Sequence, residues 1–316
     1  MDQITTLVVG AGANVPYGFP TAAGLRHSII GNEQFSDFMH EMPLELQSQL
    51  NRYQEYREIF EKSSLSSIDN HLTKNPQYLE IGKYCIAGSL LTYESSSRFR
   101  EKSNYPKEDW YSFLFNVLNK GTETFDDFVE NCNNLNVITF NYDRSFEMFF
   151  LESIWHTFTK EFPVDKRSVE DIPFTIHHVY GSLGDLQLVN GSISNYGTVN
   201  PEYRISRAIQ EIKIIDEDRE YDHDAFSLID TADDVFFLGF GFDDQNLERL
   251  GLDSKTLNGV NVYASIYSQK KNDINRIRNL FRGSTSLHHT KTCLELLENH
   301  FNPNSEPNFW LEVESF

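Results

Sequence analysis

The sequence is poor in cysteine and in basic residues. Its three cysteines, Cys85, Cys132 and Cys293, lie far apart in a chain of 316 residues and form no Cys-x-x-Cys pair. This pattern excludes a disulfide framework and is typical of a reducing compartment. Lysine and arginine number 27 against 47 acidic residues, which gives a formal charge of −20. Because this charge repels phosphate backbones and anionic lipid, we expect no direct binding of nucleic acid.

The sequence also lacks an apolar run long enough to span a membrane. The apolar run near the N-terminus follows Asp2 and ends at Gly10, which makes it too short for a signal peptide. We therefore expect a cytoplasmic protein without membrane contact. Neither an internal repeat nor a low-complexity linker interrupts the chain, so we predict a single domain over residues 1–316 with a sizeable core.

Five mostly apolar stretches predict the strands of one sheet. They are Ile4–Val9, Leu135–Phe140, Phe174–Tyr180, Val235–Phe240 and Gly259–Tyr267. Helical patterns separate most of these strands, and this alternation predicts an α/β fold with a Rossmann-like, doubly wound parallel sheet. The mostly helical stretch at about residues 35–132 is predicted to be an insertion in that fold.

Apolar residues at helical spacing predict helices inside the insertion and after it. They are Leu44–Glu61, Tyr78–Leu91, Trp110–Leu118, Arg144–Ser153, Ser206–Ile215, His223–Ile229, Asp273–Phe281 and Cys293–His300. Within the insertion, Asp69 either caps a helix or reaches a ligand, and capping is the favoured interpretation. The tail Asn302–Phe316 is predicted to dock onto the body or onto a partner.

A glycine-rich turn, GAGANVPYGFP, follows the first predicted strand. Gly10 and Gly12 allow a tight turn and a close approach to a pyrophosphate, and a helix start near Thr21 favours anions. The third glycine of the dinucleotide fingerprint is missing, because Val15 stands there. No second strand ends in an acidic residue about twenty positions later, so we do not expect an ordinary hydride-transfer enzyme. Taken alone, the turn leaves nucleotide binding and a purely structural role open.

Polar residues follow the second predicted strand, where Asn141 and Asp143 come directly after its apolar run. Ligands of open α/β sheets bind at the carboxyl ends of the strands, so both side chains are candidate ligand contacts. The alternative for Asp143 is a cap for the helix that follows it. After the strand Val235–Phe240, Gly239 and Gly241 open a similar turn, and a following aspartate caps the next helix.

The third predicted strand ends in HHVYGSLG. His178 and Tyr180 share one face of this strand, and His177 points to the other face. A histidine with an ordinary pKa of about 6.5 is largely neutral in the cytoplasm and is suited to act as a general base. The alternative for either histidine is a structural role.

Four motifs occur in a fixed order: GAGAN with GFP, TFNYD, HVYGSLG and GFGFDD. In this order, over roughly Ile4 to Tyr267, they resemble the sirtuin family. The resemblance implies NAD⁺ as the ligand, with Asn141 and His178 as the catalytic residues. It places the binding of NAD⁺ on Gly10, Ala11, Gly12, Asn14, Gly18, Pro20, Asp143, Tyr180, Gly181, Ser182 and Gly239.

Two departures from the sirtuin pattern matter. Three scattered cysteines cannot build the zinc ribbon of sirtuin deacylases, which needs four thiolates. Tyr180 occupies the place of the catalytic histidine, which leaves His178 as the nearest candidate and His177 as a weaker one. The sequence is similar instead to bacterial sirtuin-like proteins of anti-phage defence, in which the fold without the ribbon hydrolyses NAD⁺.

This resemblance implies an NAD⁺ glycohydrolase that acts in abortive infection, takes NAD⁺ as its substrate and needs no metal. The main alternative is a binding module that senses NAD⁺ or ADP-ribose without cleaving it. A deacylase and an oxidoreductase are less favoured alternatives. By the same resemblance, we expect a homo-oligomer or a regulatory partner, such as a ring-forming ATPase or a nucleic-acid-guided protein.

Overall fold

The computed structural model describes most of the chain. It covers residues 3–31, 44–94, 107–161, 167–189, 192–194, 196–197, 201–214, 221–252, 259–266, 271–281, 286–302 and 312–315. Its strands are β1 (Thr5–Val9), β2 (Leu135–Thr139), β3 (Arg167–Ser168), β4 (Thr175–His178), β5 (Gln187–Val189), β6 (Ser192–Ser194), β7 (Asp234–Leu238), β8 (Asn261–Ser265), β9 (Ser286–Thr290) and β10 (Glu312–Ser315).

Seven of the described strands form the main sheet, in the order β10-β9-β8-β7-β1-β2-β4. All neighbours from β9 to β4 are parallel, and only the edge strand β10 runs antiparallel. Counted along the chain, the six parallel strands have the order 3-2-1-4-5-6 of the Rossmann fold. The α/β, Rossmann-like prediction is therefore confirmed. The short strands β3, β5 and β6 form a separate antiparallel sheet.

The helices between these strands follow the predicted pattern. They are α1 (Ala22–Gly31), α2 (Leu44–Lys62), α3 (Ile68–Lys74), α4 (Leu79–Leu91), α5 (Trp110–Leu118), α6 (Phe125–Cys132), α7 (Ser145–Thr157), α8 (Pro201–Glu211), α9 (His223–Asp230), α10 (Asp244–Arg249), α11 (Lys271–Leu280) and α12 (Cys293–Phe301). Each helix predicted above has a counterpart, and α8 begins five residues before the predicted start at Ser206. None of the described helices is both long and apolar enough to cross a bilayer.

Two strands of the main sheet were not predicted. The strand β9 has the sequence SLHHT, which lacks the apolar run of a central strand, so Gly259–Tyr267 is not the last strand as the pattern suggested. The strand β10 belongs to the tail and pairs with β9, with Glu312 opposite His289. The described part of the tail therefore docks onto the body as a sheet edge.

The side chains of each central strand alternate between two cores, one on each face of the sheet. Val8 of β1 packs in one core, together with buried residues from α1 to α4. Leu7 and Val9 pack in the other core, together with α5, α6, α7 and α12. The helices between α1 and β2, where the insertion was predicted, thus contribute to both faces. Burial of each large apolar side chain in these cores contributes about 1.5–3 kcal/mol to stability.

The turns after β1 and β7 pack directly on each other, backbone against backbone. The amide of Gly10 donates to the carbonyl of Leu238 at 2.9 Å, and the amide of Gly12 donates to the carbonyl of Gly239 at 3.0 Å. A Cβ atom on Gly10 or Gly12 would come within 2.8 Å of the Gly239 carbonyl oxygen. Gly239 has a φ of +56°, and a Cβ there would lie 1.9 Å from the amide nitrogen of Ala13. Only glycine fits at these three positions.

We expect Gly239→Ala to lower the free energy of unfolding by at least about 2 kcal/mol, because the new methyl group strains the backbone and separates the two turns. Urea unfolding followed by circular dichroism measures this loss. Gly241→Ala is the matched control two residues later, where the nearest atom to a Cβ is the Asp243 carboxylate at 3.7 Å. A Gly239→Ala variant as stable as the control contradicts the role assigned to this contact.

Candidate functional site

A cleft of about 680 Å³ lies at the carboxyl ends of β1, β7, β8 and β9. Its lining includes Gly12 after β1, Gly239 after β7, Ser265 at the end of β8 and Thr292 after β9. This edge of the sheet is where open α/β folds bind ligands, and the volume suits a ligand of dinucleotide size. Two of the residues predicted from the motifs, Gly12 and Gly239, therefore line the cleft.

The cleft carries more positive than negative side chains. Lys107, Arg276 and Lys291 line it, against a single lining carboxylate among the described residues, Glu108. The whole chain has the opposite balance, with a formal charge of −20. The cleft is therefore locally favourable for an anionic ligand.

Three amides of the first turn are already used within the protein. The amide of Gly10 donates to the last residue of β7, that of Gly12 donates to the turn after β7, and that of Ala13 donates to the carbonyl of Gly10 at 3.0 Å. An amide with an internal carbonyl partner does not offer its hydrogen to a phosphate. The close backbone approach predicted for Gly10 and Gly12 thus occurs, but its partner is the backbone of Gly239.

The first turn is tied to the end of β2 through one side-chain amide. Asn14 Nδ2 lies 3.0 Å from each carboxylate oxygen of Asp143 and donates to that carboxylate. Asn14 Oδ1 accepts from the Tyr111 hydroxyl at 2.8 Å. Asp143 also accepts from the backbone amide of Ser145 at 3.1 Å, so it serves the start of α7 as well. Burial raises the pKa of Asp143 to about 6.

Asn141 and His178, the two predicted catalytic residues, lie side by side. Asn141 Nδ2 donates to the carbonyl of Gly10 at 3.3 Å. His178 Nδ1 lies 3.0 Å from the Asn141 carbonyl, and its Nε2 lies 2.5 Å from Glu147. Burial disfavours the charged imidazole, but the Glu147 carboxylate outweighs burial, so the pKa of His178 lies above its ordinary value. One ring nitrogen of His178 thus faces a carbonyl and the other faces a carboxylate, and these two contacts hold the imidazole beside Asn141.

Little space remains between these groups. Asn14, Asn141, Asp143 and Glu147 surround a void of about 10 Å³, which is close to the size of one water molecule. Among the described residues that line the 680 Å³ cleft, none comes from this cluster. Asn14, Asn141 and Asp143 therefore lie close together, but they line the small void and not the cleft.

The remaining predicted residues of the first turn shape it. Ala11 begins a 3₁₀ helix that ends at Tyr17, and Gly18 follows with a φ of +81°. With Gly18 in the left-handed conformation, its amide donates to the carbonyl of Val15 at 2.9 Å, and the amide of Phe19 donates to the carbonyl of Asn14 at 3.2 Å. Pro20 then precedes the start of α1.

The predicted residues of the HVYGSLG motif lie around a different loop. The Tyr180 hydroxyl donates to Asn246 at 3.0 Å. Gly181 has a φ of +71°, and a Cβ there would lie 1.9 Å from the carbonyl oxygen of Glu211 in α8. Ser182 Oγ accepts from the amide of Gly184 at 3.3 Å. These contacts hold the loop after β4 against α8 and α10.

One group of metal-type ligands exists among the described residues. His177, Asp222 and Asp224 offer ligand atoms that all lie within 4.8 Å of one another. His177 Nε2 and Asp222 Oδ2 are 2.9 Å apart and already form a hydrogen bond. Asp222 also caps α9 by accepting from the amide of Ala225. The group therefore has a structural role in joining β4 to α9.

Sequence reasoning missed several buried polar contacts near the motifs. Arg144 is 1 % exposed and binds the buried carboxylate of Glu94, with one nitrogen–oxygen distance of 2.5 Å. The prediction that Asp69 caps a helix is wrong. Ser67 caps α3, and Asp69 accepts from the Tyr142 hydroxyl at 2.7 Å. Spacing along the chain gives no signal for such pairs, since Glu94 lies 50 positions before Arg144.

The chain matches no protein-family model, and it matches no curated protein sequence. The resemblance to sirtuins therefore remains an expectation from the four sequence motifs.

We expect Glu147→Gln to remove a pH-dependent part of the stability. Because the pKa of His178 is raised in the folded state, the pair stabilises the fold fully below about pH 6.5, the ordinary histidine value. This contribution is lost as the pH rises through the higher pKa of the folded state. The difference in unfolding free energy between wild type and variant, measured by urea unfolding at pH 6 and pH 9, should shrink at the higher pH.

The exposed Glu130→Gln is the control for the change of charge, and its cost should be small at both pH values. A Glu147→Gln cost that stays constant or grows between pH 6 and pH 9 contradicts the ion pair with His178.

Proposed function

We propose that this protein is an NAD⁺ glycohydrolase that releases nicotinamide and ADP-ribose, and that it acts as a cytoplasmic effector of abortive infection against phage. The observation that carries the proposal is the hydrogen bond between Asn14 of the first turn and Asp143 after β2, at 3.0 Å. It joins two of the sirtuin-like motifs beside a cleft of about 680 Å³ at the ligand-binding edge of the sheet.

Hydrolysis of NAD⁺ requires the protein to orient a water molecule and to stabilise a positive charge on the ribose. Nicotinamide leaves NAD⁺ as a neutral base when the bond from its nitrogen to ribose C1′ breaks, and the ribose becomes an oxocarbenium-like cation. A water oxygen then bonds to C1′, and the proton that it loses passes to solvent water. The Asn141 amide orients this water, and the Asp143 carboxylate binds the ribose hydroxyls and stabilises the positive charge. No step in this reaction calls for a metal.

The first turn must open for this reaction, because Asn14 occupies both oxygens of Asp143. Ribose hydroxyls are donors of the same kind and replace the Asn14 amide at little cost in hydrogen bonding. His178 acts as a positioning residue in this scheme, since its ring contacts the backbone of Asn141 and not the void itself.

A second candidate function is a sensor that binds NAD⁺ or ADP-ribose without cleavage. The void of about 10 Å³ around Asn141 and Asp143 favours it, because a nicotinamide ribose does not fit there without movement of the turn. So does Tyr180, which stands at the histidine position of the motif and is engaged with Asn246.

A hydrolase that depletes NAD⁺ needs restraint in the cell. The need to open the first turn gives a regulatory partner or a second copy of the chain a simple way to control activity. We therefore include in the proposal a homo-oligomer or a partner of the ring-ATPase or nucleic-acid-guided type.

We expect Asn141→Ala to reduce nicotinamide release at least a hundredfold, because the attacking water loses its orienting amide. Incubation of the pure protein with NAD⁺, followed by chromatography of nicotinamide and ADP-ribose, measures the rate. Asn116→Ala, at an exposed position on α5, is the matched control and should retain the wild-type rate. Thermal unfolding verifies that both variants are folded.

Each outcome of this assay separates the candidates. Wild-type turnover that Asn141→Ala leaves undiminished refutes the assigned mechanism. Wild-type protein that binds NAD⁺ in calorimetry, yet releases no nicotinamide, supports the sensor instead.

A further inference from the structure

We propose that the cleft binds the phosphates of its ligand through the side chains of Arg276, Lys291 and Lys107, and not through the amides of the glycine turn. The inference deepens the proposed function and rests on it for the identity of the ligand as a nucleotide. It concerns a different part of the site from Asn141, so the two can be tested separately.

Three amides of the glycine turn already have partners within the protein. Nucleotide-binding folds use free amides of such a turn to hold a pyrophosphate. Here the amides of Gly10, Gly12 and Ala13 all donate to backbone carbonyls within 3.0 Å. Releasing the amides of Gly10 and Gly12 would require the turns after β1 and β7 to separate, and glycines without room for a Cβ atom show how closely these turns pack. A ligand phosphate therefore needs donors other than these three amides.

The cations that line the cleft come from three different parts of the fold. Lys291 follows β9, Arg276 lies on the helix that follows β8, and Lys107 precedes α5. Three separate segments thus bring positive charge to one cleft, although acidic residues outnumber basic ones by 47 to 27 in the chain. Apolar side chains, including Val15 and Ile277, form other parts of the lining. Charged donors beside an apolar wall match a nucleoside diphosphate, which has an anionic end and a flat apolar base.

Arg276 already has a partner, which a ligand must replace. Arg276 pairs with Asp244, but the two side chains are 49 % and 85 % exposed, and such a surface pair contributes little to stability. A diphosphate carries more charge than one carboxylate and accepts two hydrogen bonds from a guanidinium. It can therefore replace Asp244 as the partner of Arg276.

The experiment uses ADP as the probe, because ADP carries the diphosphate and has no nicotinamide to lose. Calorimetric titration of the whole protein should show ADP binding that weakens about tenfold in Arg276→Ala and in Lys291→Ala. Adenosine, which lacks phosphate, should bind all variants equally. Asp244→Asn should strengthen ADP binding, because it removes the competing carboxylate from Arg276.

Arg278→Ala is the matched control, because it removes the same charge from the same helix at a residue outside the cleft lining. ADP binding by Arg276→Ala and Lys291→Ala at wild-type affinity overturns the inference, as does the absence of any ADP binding by the wild-type protein. The hydrolase proposal fails in a different way. NAD⁺ that binds with the same dependence on Arg276 and Lys291, but is never cleaved, leaves the phosphate site standing.

Discussion

The packing of the turn after β1 on the turn after β7 is the constraint on which the site depends. These strands are neighbours at the centre of the sheet, and their turns touch through Gly10, Gly12 and Gly239 without any side chain between them. The contact fixes where the 3₁₀ helix that begins at Ala11 leaves the sheet. The insertion supports it from outside, since the Trp110 indole donates to the carbonyl of Ala13 at 2.8 Å. The turn then separates the cleft on one side from the Asn141 and Asp143 cluster on the other.

Burial gives that cluster its electrostatic character. A buried carboxylate without partners is costly, and the hydrogen bonds from Asn14 and Ser145 offset only part of the cost for Asp143, whose pKa is raised to about 6. The neighbouring pair of His178 and Glu147 is also enclosed. A group of this kind is held in one geometry by its neighbours, which suits a site that must orient a ligand. It is also sensitive to any change that admits water.

The sequence predicted the parts of the structure that follow local rules. Apolar runs located five neighbouring strands of the main sheet, from β8 to β4, and because parallel strands align their carboxyl ends, the motifs after them had to share one edge of the sheet. The strand β9 was not predicted, because its SLHHT sequence has no apolar run. The cleft residues that follow it, Lys291 and Thr292, were therefore not predicted either. The amide of Asn14 and the carboxylate of Asp143 are 129 positions apart, so their direct bond could not be read from spacing. Gly10 and Gly12 were predicted to approach a pyrophosphate, and the group that they approach in the structure is the backbone of Gly239.

The separation of cleft and cluster suggests an order of events under the proposed function. The adenosine and phosphates of NAD⁺ can enter the open cleft without disturbing the first turn, whereas the nicotinamide ribose reaches Asp143 only when Asn14 releases it. Binding energy from the first half of the ligand is then available to open the turn for the second half. Because ADP-ribose carries the same first half and the same ribose, it should favour the open turn as well. Under the proposed function, an ADP-ribose sensor and an NAD⁺ hydrolase would therefore use the same structural switch, the exchange of the Asn14 amide for ribose hydroxyls at Asp143.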